Sequence, residues 1–228
     1  MTIWIDNGKS PDEPYSATLG FWLPPDSPYG NFQLKLMKIC QRIDEANRRL
    51  TESRAFWEQA RPDGISPPNA FPRHIYANEQ AIYLLRKAAD EMISLIWCLS
   101  EWKTKEVYPR EIKIDCIGAL LKQPPEQHLP PCKEHTNMLT ALNEVANAFK
   151  HSFVQSDIDV IGRDEPCVNA LSLDYNKLAS ETKFHSVSLA WLANAFTAFY
   201  KDGMDWLRAF SEQNLPRSIN GPVIDARK

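Results

Sequence analysis

A row of polar, uncharged side chains recurs at helical spacing in the second half of the chain. Its members are Thr136, Thr140, Asn143, Asn147 and His151, at intervals of 4, 3, 4 and 4 residues. This spacing places them on one face of a helix, where solvated helices usually carry Lys and Glu instead. Such a face suits a groove in which hydrogen-bonding groups meet a ligand or another helix. The alternative is a partly buried helix whose amides pair with neighbouring backbone or side chains.

A second polar stripe with the same kind of spacing lies in the long proline-free stretch 73–108. It consists of Glu79, Tyr83, Arg86, Asp90 and Ser94. If the two stripes face each other, they line a common groove. The residues expected there are Arg86, Asp90, Asn147 and His151, with Tyr83, Thr140, Asn143 and Lys150 extending the groove. The alternative for Arg86 and Asp90 is an i,i+4 ion pair within one helix.

These residue types match the chemistry of metal-free RNA cleavage. That reaction needs a base to activate the 2′-OH and a cation to stabilise the phosphorane. Histidine is the commonest base, so His151 is the candidate. The cation would be Lys150, Arg86 or a residue of a partner subunit. Lys150 is the poorer choice because neighbouring residues on a helix point about 100° apart.

The segment Asn147-Ala148-Phe149-Lys150-His151 resembles the motif of the HEPN superfamily of small helical bundles. That motif is an Arg, usually followed by a polar residue such as Asn or His, with a His four to six residues after the Arg. The resemblance implies that Asn147 is the polar residue and that His151 is the catalytic His. Active members are metal-independent ribonucleases, and two subunits often meet to form their cleft. Ala146 stands at the Arg position, so this chain departs from the motif at a catalytic residue.

A metal site is the third hypothesis. His128, Cys132 and His135 lie close together in the sequence, and Cys and His are competent zinc ligands that His151 or Cys116 would complete. The spacing matches no standard zinc ribbon or finger. A Pro-Pro loop leading into a helix explains these residues without a metal, so we expect no metal and no cofactor.

The 17 prolines mark where the elements around these residues end, because proline breaks helices. Between the proline clusters, apolar residues recur at 3- and 4-residue spacing, which is typical of amphipathic helices. The predicted helices lie at 31–60, within 73–108, at 110–122, at 133–153 and at 186–213. Gly203 falls on the apolar face of the last helix, where it would allow a neighbouring helix to approach closely.

Two regions lack the helical pattern. Residues 161–185 contain the turn Gly162-Arg163-Asp164-Glu165-Pro166 and partly alternating segments, which predict a small β hairpin before the last helix. Residues 1–30 predict a short hairpin or an irregular arm. We therefore expect an all-α bundle of four to five helices over 31–215, with an N-terminal arm at 1–30 and a loose tail at 216–228.

Composition limits the class of protein. The chain has 26 Lys and Arg against 29 Asp and Glu, which excludes the strongly basic surface of a duplex-DNA binder. Its five scattered cysteines, with no secretory signal and no apolar stretch long enough for a bilayer, predict a cytoplasmic protein without membrane contact. The expected function is that of a HEPN-like binding protein whose candidate partners are RNA, a nucleotide or a second copy of the chain. The alternatives are a metal-independent ribonuclease of toxin or phage-defence type and a metal-dependent enzyme.

Overall fold

The computed structural model describes residues 3–10, 13, 19–60, 69–153, 165–173, 176–177 and 181–214. Within these ranges the chain forms five α-helices and one pair of strands. The helices are α1 (Phe32–Ala60), α2 (Ala70–Lys105), α3 (Ile117–Leu121), α4 (Thr136–His151) and α5 (Leu189–Asn214). The strands β1 (Cys167–Leu173) and β2 (Thr182–Ser188) pair in antiparallel fashion. The prediction of a mostly helical chain with a small β hairpin before the last helix is confirmed.

Helix α2 occupies the centre of the packing. Two adjacent apolar stripes cover much of its circumference, and a helix of this kind must be covered on several sides. It packs against α1, α3, α4, α5 and β1, and the most extensive of these contacts is with α1. In the described part of the chain no helix, α2 included, is both long enough and apolar enough to cross a membrane.

The predicted helix over 110–122 is wrong in its first half, because only Ile117–Leu121 is helical. The preceding segment alternates apolar and polar residues, and its side chains Ile112 and Ile114 both pack against the core. Two residues at this spacing reach the same side in an extended chain and not in a helix. The burial of Ile112 and Ile114 on one side therefore favours an extended chain over a helix before Ile117.

The N-terminal arm is irregular where it is described, and buried amide side chains hold it in place. Asn47 of α1 accepts a hydrogen bond from the backbone N–H of Ile5 (2.8 Å) and donates one to its carbonyl (2.9 Å). Gln33 accepts one from the N–H of Leu23 (2.8 Å) in the same way. Ile5 and Leu23 are both buried in the core that the helices share. The amides thus supply the backbone pairing that a strand would otherwise provide.

The β hairpin packs mainly on α4. Its register pairs Cys167 with Ser188 and Leu173 with Thr182, so Ala170 lies opposite His185 on the face that turns towards α4. His185 Nδ1 lies 3.5 Å from Glu144 Oε2 of α4. The loop between the strands contributes Asn176, whose backbone has φ 52°.

A buried polar network joins α1, α2 and β1. His74 Nδ1 lies 2.9 Å from the carbonyl of Ser53, and His74 Nε2 lies 3.1 Å from Asn78 Nδ2. Asn78 Nδ2 also donates to the carbonyl of Cys167 (3.3 Å), and the Ser53 hydroxyl donates to Asn78 Oδ1. A neutral His74 that donates from Nδ1 and accepts at Nε2 satisfies all of these contacts. Burial lowers the pKa of His74 from its ordinary 6.5, although the carbonyls of Ser53 and Cys167 act in the opposite direction.

This network predicts a loss of stability in mild acid. The unfolded chain protonates His74 near pH 6.5, whereas the folded protein keeps it neutral to a lower pH, so unfolding takes up a proton below that pH. The contribution of His74 is complete above pH 6.5 and decreases as the pH falls. We expect the free energy of unfolding, measured with urea from about pH 7.5 to about pH 5.5, to fall more steeply for the wild type than for His74→Gln. Equal slopes would contradict a neutral His74.

Gly203 on α5 lies against Met92 of α2. A Cβ at this position would come within 3.4 Å of Met92 Cγ and Sδ and 3.6 Å of its Cε. These are ordinary van der Waals distances, and the nearest atoms belong to a flexible side chain. The expected close approach of a neighbouring helix is therefore present, and it leaves room for one methyl group.

Substitutions at Gly203 test how large a side chain fits against Met92. We expect Gly203→Ala to raise the free energy of unfolding by up to about 1 kcal/mol, because Ala has the higher helix propensity and fits against Met92. Gly203→Leu should lower it by about 1–3 kcal/mol through overpacking. The control is Ala198→Leu, an exposed site on the same helix, and equal tolerance of leucine at both positions in thermal or urea unfolding would refute the close contact.

Candidate functional site

The two polar stripes meet at one contact between α2 and α4. Arg86 Nη2 donates a hydrogen bond to Asn143 Oδ1, at 3.1 Å. The structure thus brings together two residues that the sequence placed in a common groove. Arg86 also has a buried Nε that makes no hydrogen bond to any residue in the described ranges. This guanidinium is therefore only partly satisfied by the protein around it.

Asp90 connects α2 to α3. Its Oδ1 accepts a hydrogen bond from the backbone N–H of Ile117 (2.8 Å), the first residue of α3, while its Oδ2 lies 3.9 Å from Arg86 Nε. Burial raises the pKa of Asp90, against the effect of the Ile117 N–H and of the Arg86 charge. The Ser94 hydroxyl lies 2.9 Å from the Asp115 carbonyl just before α3. This end of the α2 stripe therefore fastens the start of α3 rather than lining an open groove.

Three other residues of the α4 stripe make no such contacts. The side chains of Thr140, Asn147 and His151 have no hydrogen-bond partner among the residues that the structure describes. Thr140 and Asn147 are half-buried, and His151 is exposed, as is Lys150. At a rise of about 1.5 Å per residue, His151 lies about 12 Å beyond Asn143 along the helix.

A loop residue that the sequence analysis missed holds the backbone at the end of α4. Asn176 Nδ2 donates to the carbonyl of His151 (2.9 Å), and the N–H of Phe153 donates to Asn176 Oδ1 (2.9 Å). The side chain of Phe153 is 84% exposed. The hairpin loop therefore fixes the backbone from which His151 and Phe153 project. Nothing local in the sequence links Asn176 to a residue 25 positions earlier.

Tyr83 was expected to extend the groove beside α4, but it lies in a groove beside α1. It is exposed and lines an open groove between α1 and α2, together with Glu45 and Arg49 of α1. The stripe of α2 is thus divided between two surfaces. Arg86 and Asp90 contact α4 and α3, whereas Tyr83 belongs to the groove on the α1 side.

The three residues of the metal hypothesis have separate partners. His128 Nε2 lies 3.0 Å from the carbonyl of Gln123, and His135 Nε2 lies 2.7 Å from Asp202 Oδ2. Cys132 is fully buried, and burial raises the pKa of its thiol to about 12. Within the described ranges no three His, Cys, Asp or Glu side chains come together as a ligand set.

Comparison of the chain with protein-family models, with curated proteins and with solved structures gave no match. The HEPN resemblance therefore stays a prediction that rests on Asn147, His151 and the helical fold. In the structure, Arg86 contacts α4 at Asn143 and not at His151.

The contact between Asp90 and α3 yields a test of this assignment. We expect Asp90→Ala to lower the free energy of unfolding by about 1–2 kcal/mol, because the Ile117 N–H loses its acceptor. Asp90→Asn should lower it by less than half as much, since an amide oxygen can still accept and no buried charge remains. Thermal or urea unfolding at neutral pH distinguishes the two, and equal losses would show that the charge rather than the acceptor is what matters.

Proposed function

We propose that this protein binds single-stranded RNA along the polar face of α4 and does not cleave it. The proposal rests on the part of that face whose polar side chains make no hydrogen bond to the described residues. Thr140, Asn147 and His151 offer hydrogen-bonding groups that are not paired with any other residue in the described chain. The described part of the fold does not pair these groups, and binding of a ligand would explain why polar residues occupy these positions. The resemblance to the HEPN superfamily implies the same class of ligand.

The charges and the aromatic side chain near this face suit a nucleic-acid strand. Arg86 lies at one end, and Lys150 and His151 lie at the other, about 12 Å away along the helix. At about 3.4 Å per stacked nucleotide, this length corresponds to three or four nucleotides. Phe153 follows directly after α4 and is 84% exposed. Proteins that bind single strands combine cations with exposed aromatic rings on which bases stack.

Binding is favoured over cleavage because Arg86 and His151 do not converge in the described part of the chain. A base and a cation must reach the same phosphate, within hydrogen-bonding distance of it. The guanidinium of Arg86 contacts Asn143, two turns from His151, and Ala146 provides no cation at the motif position. A ribonuclease would therefore need a cation other than Arg86, and Lys150 points about 100° away from His151 on the helix.

The first experiment measures RNA affinity by fluorescence anisotropy, with a labelled single strand of about ten nucleotides of mixed sequence. We expect Phe153→Ala to weaken binding at least about fivefold through lost stacking. Asn147→Ala and His151→Ala should each weaken binding a few-fold and leave the circular dichroism spectrum and thermal midpoint unchanged. The matched controls are Asn194→Ala and Trp22→Ala, which remove an exposed amide and an exposed ring elsewhere and should bind like the wild type.

The same samples, incubated with the RNA in EDTA, separate binding from cleavage. Intact RNA in the presence of folded wild-type protein agrees with the proposal. Cleavage that disappears in His151→Ala would replace it with the ribonuclease alternative. Absence of binding by the folded wild type at moderate salt, or equal affinity of the site variants and the controls, would overturn the proposal altogether.

A further inference from the structure

A second surface with its own chemistry lies between α1 and α2. It is an open groove with a volume of about 500 Å³, walled by Glu45 and Arg49 of α1 and by Tyr76, Glu79 and Tyr83 of α2. Ligand-binding clefts typically have volumes of about 300–1,000 Å³. This groove shares no residue with the α4 face proposed to bind RNA.

Two exposed tyrosines of α2 line this groove. Tyr76 is 62% exposed and Tyr83 is 68% exposed, so neither ring serves to fill the core. They are seven residues apart and therefore share one face of α2, about 10.5 Å from each other along the axis. A cationic side chain is attracted to the face of a tyrosine ring when it lies within about 6 Å of the ring centroid.

The charge of the groove favours a positively charged occupant. Arg49 is compensated by two carboxylates, Glu45 at 2.6 Å and Glu52 at 2.9 Å. Glu79 lies on the same face as the two tyrosines, and its carboxylate has no ion-pair or hydrogen-bond partner among the described residues. Glu79 therefore leaves the groove with a negative charge that no described residue pairs with, one turn of α2 from each tyrosine.

We propose that this groove binds the arginine side chain of a peptide segment from a partner protein. A planar guanidinium stacks on tyrosine rings and donates two parallel hydrogen bonds to a carboxylate, whereas a lysine ammonium does neither. The same helix pair already holds one such contact, with the guanidinium carbon of Arg73 lying 5.2 Å from the centroid of the Phe56 ring. The volume exceeds that of one side chain and leaves room for the flanking peptide backbone.

The test titrates the full-length, ¹⁵N-labelled chain with acetyl-Gly-Arg-Gly-amide and follows the amide resonances. The matched probes replace arginine with citrulline, which has nearly the same shape without the charge, or with lysine. We expect saturable shifts that centre on Glu45, Arg49 and the turns of α2 from Tyr76 to Tyr83. The arginine peptide should bind more tightly than the lysine peptide, and the citrulline peptide should leave these resonances unchanged.

Variants of the groove identify its residues. Tyr83→Ala and Glu79→Gln should each weaken the arginine peptide by about two- to fivefold or more, and the double variant should abolish saturation. The controls are Trp191→Ala, an exposed ring on α5, and Glu106→Gln, an exposed carboxylate at the end of α2, which should bind like the wild type. All these sites are exposed, so a circular dichroism spectrum confirms that each variant is folded.

Four results would overturn the proposal. Equal shifts with the citrulline peptide would show that charge is not recognised, and lysine binding as tightly as arginine would show that the planar guanidinium is not recognised. Unchanged affinity in Tyr83→Ala and Glu79→Gln, or no saturable shift in the wild type, would show that this groove is not the site. The RNA measurements above do not enter any of these outcomes.

Discussion

Helix α2 carries apolar side chains over most of its circumference, and no single neighbour can shield such a surface from water. The chain meets this requirement by packing α1, α3, α4, α5 and β1 around it. Burial of apolar area is the dominant favourable contribution to folding, so the position of each neighbour is determined first by the surface of α2 that it covers. Two polar residues of α2 contact these neighbours, because Arg86 reaches α4 and Asp90 reaches α3.

Segments without regular structure create a second requirement, because their backbone N–H and C=O groups still need partners when they are buried. Amide side chains meet it in several places. Asn47 pairs with both backbone groups of Ile5, and Asn176 does the same across His151 and Phe153. An amide offers a donor and an acceptor on one planar group, so a single residue replaces a rung of a β ladder. In each case the amide joins segments that are distant in the sequence.

These two requirements explain what the sequence could and could not predict. Helix α2 and the hairpin before α5 are visible because their periodicity is local and long. The segment before α3 was misassigned because Ile112 and Ile114 respond to the core rather than to helix propensity. The facing of Arg86 and Asn143 followed from matching stripes, but the orientation of Tyr83 towards α1 did not. The role of Asp90 was hidden for a similar reason, since its acceptor function depends on an N–H group 27 residues away.

The residues of the α4 face differ in whether the fold itself pairs their side chains. Asn143 is explained by the fold, because its amide accepts from a guanidinium that would otherwise lose more of its hydrogen bonds. Asn147 and His151 continue the same row, yet replacing them removes no side-chain hydrogen bond to the described protein. An exposed helix turn that contributed only to stability would favour the stronger helix formers Glu, Lys or Ala. Weak helix formers at positions without a hydrogen-bond partner in the described chain agree with the proposal that this half of the face binds a ligand. The backbone clamp by Asn176 at the same helix end is consistent with this, since a binding surface gains affinity when its groups are held in place before the ligand arrives.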